Sequence, residues 1–173
     1  LPFGLTGCGE KAPDAPKAVT LTVGATPVPH ADNLKFIDPT LKKEGVNLKV
    51  VEFSDYVKPN LALSDKELDA NFFQHKPYLD MFSAERGLKL SVLCSVHIEP
   101  MGVYSRKVKS LKDLPEGAKI AIPNDPTNGG RALKVLADAG LFGLKDGVGE
   151  MRTPADVNNT TKNFPHGARE AAT

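Results

Sequence analysis

At 173 residues the chain can bury a sizeable core, arranged as one domain or two small lobes. Apolar residues make up 40% and charged residues 25%, as in ordinary globular domains. The 22 basic and 21 acidic residues are mixed along the chain, so the basic patch that a nucleic acid or an anionic membrane surface requires is missing.

The two cysteines, Cys8 and Cys94, are too few and too far apart for a disulfide scaffold, and no Cys/His spacing suits zinc. No stretch reaches the roughly 18 consecutive apolar residues of a spanning helix. The opening segment looks like the tail of a secretory signal. Leu5-Thr6-Gly7-Cys8 resembles the bacterial lipobox, an apolar residue and two small ones before the cysteine that receives lipid. Small residues suit a peptidase that must admit an extended chain beside the modified thiol. Diacylglycerol plus an amide-linked acyl chain on Cys8 would give the two signals that stable anchoring needs. The alternative is an ordinary cysteine in a tail. Pro13, Pro16 and charged residues after Cys8 suit a flexible tether, so residues 1–18 are expected to be signal remnant, lipobox and tether.

From Val19 the pattern is regular. Val19, Leu21 and Val23 alternate with Thr20 and Thr22, a strand period closed by Gly24. Leu34, Ile37 and Leu41 fall at helical spacing, with Gly45 placed to end the helix. Leu48, Val50 and Phe53 predict a second strand, and residues 57–67 a helix that tolerates Pro59 in its first turn. Residues 69–74 predict a short buried strand, and Pro77 opens a helix carrying Leu79 and Phe82. Leu90, Val92, Cys94, Val96 and Ile98 alternate over nine residues, the longest strand signal in the chain, which makes Cys94 a buried core residue. Ser110 caps a short helical turn, residues 119–123 predict a strand, and residues 127–139 a helix closed by Gly140. This alternation of strand and helix predicts an α/β fold with a largely parallel sheet. After about Pro154 apolar residues lose their period, and residues 157–173 read as a degenerate tail.

Two clusters carry chemistry. Pro123-Asn124-Asp125-Pro126-Thr127-Asn128-Gly129-Gly130-Arg131 lies between a strand and a helix. Backbone N–H groups at a helix start attract an anion, paired glycines allow close approach, and Arg131 adds a fork for a carboxylate. The same residues also fit a Gly-rich turn with a surface arginine. The second cluster is Asn71-Phe72-Phe73-Gln74-His75-Lys76-Pro77-Tyr78, in a chain with eight Phe, three Tyr and no Trp. At the C-terminal end of a strand it could wall a ligand crevice, with apolar rings and hydrogen bonds from His75 and Tyr78. A core cluster around a satisfied histidine is the other possibility. His75 has no activated nucleophile partner, G-x-S-x-G is missing, and His30, His97 and His166 stand apart in the sequence. Recognition is therefore expected rather than catalysis, without cofactor or metal.

Several runs resemble the NlpA family of methionine-uptake substrate-binding lipoproteins. The runs are Val23-Gly24-Ala25-Thr26-Pro27-Val28-Pro29-His30-Ala31, then Glu67-Leu68-Asp69-Ala70-Asn71-Phe72-Phe73-Gln74-His75-Lys76-Pro77-Tyr78-Leu79, then Val96-His97-Ile98-Glu99-Pro100-Met101-Gly102, and Ile122-Pro123 through Arg131-Ala132. The likeness covers about residues 19–156. It implies a periplasmic-binding-protein-like fold of type II, whose two lobes close on a ligand by hinge motion. Lobe one would be residues 19–104 and part of lobe two residues 105–156. Relatives continue further, so the second lobe and the return crossing would be incomplete in this chain. The resemblance also implies that Tyr56, Phe73, His75 and Tyr78 line the side chain of methionine or a close analogue. Arg131 would pair with its α-carboxylate, with Asn128 nearby. The implied partners are an ABC permease and its ATPase, and the implied place is the cell envelope, anchored to the membrane through lipid on Cys8. A surface lipoprotein with an interaction role and no ligand is the alternative.

Overall fold

The structure, a computed structural model, describes residues 18–158; Cys8 with its lipobox and residues 159–173 lie outside them. The chain divides into two compact units, one through Phe73 and one from Gln74.

In the first unit, strand β1 (Val19–Ala25) leads through a helical turn at Pro27–Ala31 into helix α1 (Asp32–Lys43). The expected stop at Gly45 is present: it adopts φ +80°, and its N–H donates to the Lys42 carbonyl at 3.2 Å. On α1, Leu34 and Leu41 are half-buried, whereas Ile37 and Phe36 face outward. Strand β2 (Val46–Glu52), helix α2 (Lys58–Ser64) and strand β3 (Ala70–Phe72) follow. Helix α2 stops short of the expected residue 67. Lys66 turns into the left-handed region at φ +63°, which ends the helical run.

The three strands form a parallel sheet in the order β2-β1-β3. Val19 opposes Val46 and Ala25 opposes Glu52 on one side, and Val23 opposes Ala70 and Ala25 opposes Phe72 on the other. Parallel neighbours cannot be joined by a tight turn, which is why helices separate the strands in sequence. Burial deepens along β1, from exposed Val19 to fully buried Ala25. Ala31, Ala62, Leu68 and Phe73 are also buried in this unit.

In the second unit, helix α3 (Lys76–Arg86) ends on Gly87 in the left-handed conformation at φ +67°. Tyr78, Leu79 and Phe82 are its buried face. Ser110 caps a short turn at Leu111–Asp113 as expected, its hydroxyl accepting from the Lys112 N–H at 3.2 Å. Helix α4 (Pro126–Asp138) buries Leu133 and Leu136, as their spacing predicts, against Ile122, Leu141 and Phe142. Gly140 follows α4 at φ +77°. Strand β4 (Gly143–Leu144) pairs antiparallel with β5 (Val157–Asn158), so two residues read as tail belong to a hairpin.

Two expected strands are not formed. Residues 90–98 and 119–123 run outside any strand ladder among the described residues. Alternation specifies faces, but a strand also needs a neighbour's N–H and C=O groups, and the described residues supply none. Cys94 is consequently exposed rather than buried. Leu93 is 86% and Ile98 93% exposed, and Tyr104 beyond them 90%.

Candidate functional site

In the first unit the candidate residues gather where the parallel strands end. Thr26 follows β1, Tyr56 lies in the connection after β2, and Phe73 follows β3. In a parallel sheet all three C-terminal ends share one edge, the edge where open α/β sheets hold ligands. Tyr56 and Phe73 pack with ring centroids 5.9 Å apart and planes inclined by 37°. Beside them the Thr26 hydroxyl and His30 Nδ1 are 2.8 Å apart and buried, and the His30 ring meets Phe72 edge-on at 4.6 Å. Asp55 secures the approach to α2, its Oδ1 accepting from the Val57 and Lys58 N–H groups at 2.9 and 2.8 Å. Asn71, next to Phe72 and Phe73, donates to the Pro59 carbonyl at 3.0 Å and to Asn60 Oδ1 at 2.9 Å.

In the second unit Asp125 organises the start of α4. Its Oδ1 accepts from the Asn128 N–H at 2.8 Å and from the Thr127 hydroxyl at 2.7 Å. Its Oδ2 accepts from Asn128 Nδ2 at 3.1 Å. That last bond turns the Asn128 amide so that its oxygen accepts from Arg131 Nη1 at 3.0 Å. Arg131 Nη2 donates to the Glu99 carbonyl at 3.1 Å. Two neutral oxygens thus aim the guanidinium, and no described carboxylate forms an ion pair with it. Five N–H donors in a planar fork leave enough for a ligand's carboxylate.

Two details of this turn depart from the sequence reading. The helix end is not an open cradle of N–H groups, because Pro126 has none and Asp125 occupies that of Asn128. The glycines serve packing rather than anion approach. A Cβ on Gly130 would collide with the Glu150 carbonyl oxygen and come within 2.8 Å of the Arg152 nitrogen. The anion reading therefore rests on Arg131. Asp-Pro-Thr ahead of a helix is a cap signature, and it is the signal that marks Asp125.

His75 sits at the N-terminal boundary of α3, in extended conformation, and its carbonyl accepts from the Tyr78 and Leu79 N–H groups. Its Nε2 is buried without a hydrogen-bond partner. Burial, and then the positive charge of Arg131, hold its pKa below 6.5, with Asp125 and Glu150 opposing. His75 is therefore neutral near pH 7, and the local positive charge belongs to Arg131. Tyr78 is buried and stacks on Phe82 at 5.7 Å. His75, Asn128 and Arg131 share one electrostatic neighbourhood in this unit, while Tyr56 and Phe73 pair in the other.

A parallel-sheet unit with rings at its C-terminal edge, and a unit bearing an aimed guanidinium, define an α/β protein. The chain belongs to the NlpA lipoprotein family, whose model matches residues 21–173. It is 44% identical over 164 residues to the D-methionine-binding lipoprotein MetQ of Escherichia coli K12, covering 94% of this chain and 59% of that protein. It is 43% identical over 162 residues to the methionine-binding lipoprotein MetQ of Bacillus subtilis, covering 92% and 59%. Among solved structures, a nutrient binding protein from Burkholderia cenocepacia bound to methionine superposes with a TM-score of 0.83 at 44% identity, covering 87% of this chain and 64% of that one. The chain thus spans about three fifths of the length of the curated relatives it matches.

Proposed function

We propose that this chain takes part in capturing a small amino acid, methionine foremost, outside the cytoplasmic membrane and passing it to the permease and ATPase of an ABC importer. Family membership, the printed names of the relatives and the methionine-bound neighbour support this reading. So does the chemistry of the candidate residues. Arg131 takes the α-carboxylate in two parallel bonds, with Asn128 holding it in place. Tyr56, Phe73 and Tyr78 give the soft thioether side chain aromatic contact, and neutral His75 offers a hydrogen bond without a second charge. These are recognition roles, and none of them requires a bond to be made or broken. Lobe one is assigned to residues 19–104 and part of lobe two to residues 105–156. Lipid on Cys8 would hold the protein at the cell envelope, a placement the family's name favours.

The single observation that carries this reading is the guanidinium of Arg131, aimed by two neutral oxygens and given no carboxylate by the described residues. Titration calorimetry with L- and D-methionine tests it. Methionine is expected to bind, and Arg131→Ala to weaken binding by about 2–5 kcal/mol, as for removing one partner of a buried charge pair. Equal affinity in the parent and the variant removes Arg131 from the role. The exposed apolar residues Leu93 and Ile98 favour a second reading, an interaction role without a ligand. Absence of heat with either enantiomer, together with capture of a protein partner through that run, would establish it instead.

A further inference from the structure

Near the aromatic pair in the first unit, Asp55 and Asn71 make hydrogen bonds at the start of α2. Tyr56 lies between two fixed points. On one side Asp55 caps the start of α2. On the other the carbonyl of Pro59, in the first turn of α2, accepts from Asn71 Nδ2 at 3.0 Å. Asn71 is itself locked into the sheet, since it opposes Gly24 in the β1–β3 register, and Phe73 stands two residues beyond it. The donor assignment is not arbitrary. A proline carbonyl can only accept, so the Asn71 nitrogen must face it, and the same nitrogen then donates to Asn60 Oδ1. Asn60 is fully buried, which shields that end of the bond from water.

We infer that the Asn71–Pro59–Asn60 clamp is a positioning device for ligand selectivity, fixing the start of α2 against the end of β3 so that the Tyr56 and Phe73 rings stay at slot-forming distance. This inference rests on the proposed role of those rings in holding an apolar side chain. Without the clamp, the β1–β3 ladder still fixes β3, but the start of α2 loses two hydrogen bonds to it. A slot that loosens by a fraction of an ångström loses preference for a long thioether over a methyl group more than it loses affinity for the shared zwitterion.

Asn71→Asp is the sharpest probe. It keeps the shape but sets a carboxylate against the Pro59 carbonyl, which cannot reverse its role. Asn71→Ala removes the donor without adding charge, and serves if the aspartate variant fails to fold. Two measurements separate the possible failures. The first needs no ligand: ring-to-ring nuclear Overhauser contacts between Tyr56 and Phe73 are expected in the parent and expected to be lost in the variant, whose far-UV circular dichroism stays native. Retained contacts overturn the inference. The second is calorimetry with methionine and alanine. The methionine-to-alanine affinity ratio is expected to fall by about tenfold, the size of one buried hydrogen bond's contribution. A merely structural role would lower the unfolding midpoint and leave this ratio unchanged, which also overturns the inference. A parent that shows the ring contacts yet binds no methionine overturns the functional reading and leaves the positioning of the rings standing.

Discussion

Arg131 and His75 show how a single residue's setting decides its chemistry. Arg131 has neutral oxygens for neighbours and keeps its charge available. His75 is half-buried beside that charge and is pushed toward its neutral form. The consequence for stability follows from proton counting. The unfolded chain titrates His75 near 6.5, the folded chain lower, so between those values the unfolded state binds more protons. The contribution of His75 is therefore complete above about pH 6.5 and is lost as the pH falls toward the lowered value. The unfolding midpoint should drop between about pH 7 and pH 5, and His75→Asn should flatten that drop. A variant whose midpoint follows the parent's at both pH values would place the pH dependence elsewhere. At this scale the sequence named the residues but not their neighbours. Asp-Pro-Thr signals the cap, but nothing in the string shows that the second carboxylate oxygen turns the Asn128 amide toward Arg131.

At the scale of elements, helices and caps were legible where the physics is local. The left-handed glycines at 45 and 140, the turn capped by Ser110 and the alternation of β1 are written within a few residues each. The β4–β5 hairpin was not legible, because two residues a side are too short to carry a period. Nor were residues 90–98, whose alternation is real but whose ladder needs a neighbour distant in sequence. Helix α4 is the element on which the second unit's core depends, with Leu136 buried among Ile122, Leu133 and Leu141. Leu136→Ala should cost about 2–5 kcal/mol by the lost transfer energy and the cavity. Gly130→Ala should cost about 1–3 kcal/mol, since the backbone at Glu150–Arg152 has no rotamer by which to retreat. Urea unfolding measures both, and a neutral Gly130→Ala would show that this segment moves away freely.

At the scale of the molecule, the run from Val92 to Ile98 presents apolar side chains outward. An exposed segment of high β-propensity and little charge is a site for association. Cys94 stands in the middle of it as a built-in reporter. With Cys8→Ser leaving one thiol, Cys94 in the native chain should react with a thiol reagent at nearly the rate of the denatured chain. Strong native protection would mean that the run is covered in solution. No helix among the described residues is long and apolar enough to cross a membrane.

The order β2-β1-β3 places the earliest strand in the middle. A ribosome therefore delivers the central plank first and its two flanking planks later, the second only once Phe72 has emerged. Until then β1 has a bare edge, and the sheet is complete only when both neighbours have paired with it. A chain cut after Glu52 would keep one flank of β1 bare, whereas one cut after Phe73 would hold all three strands.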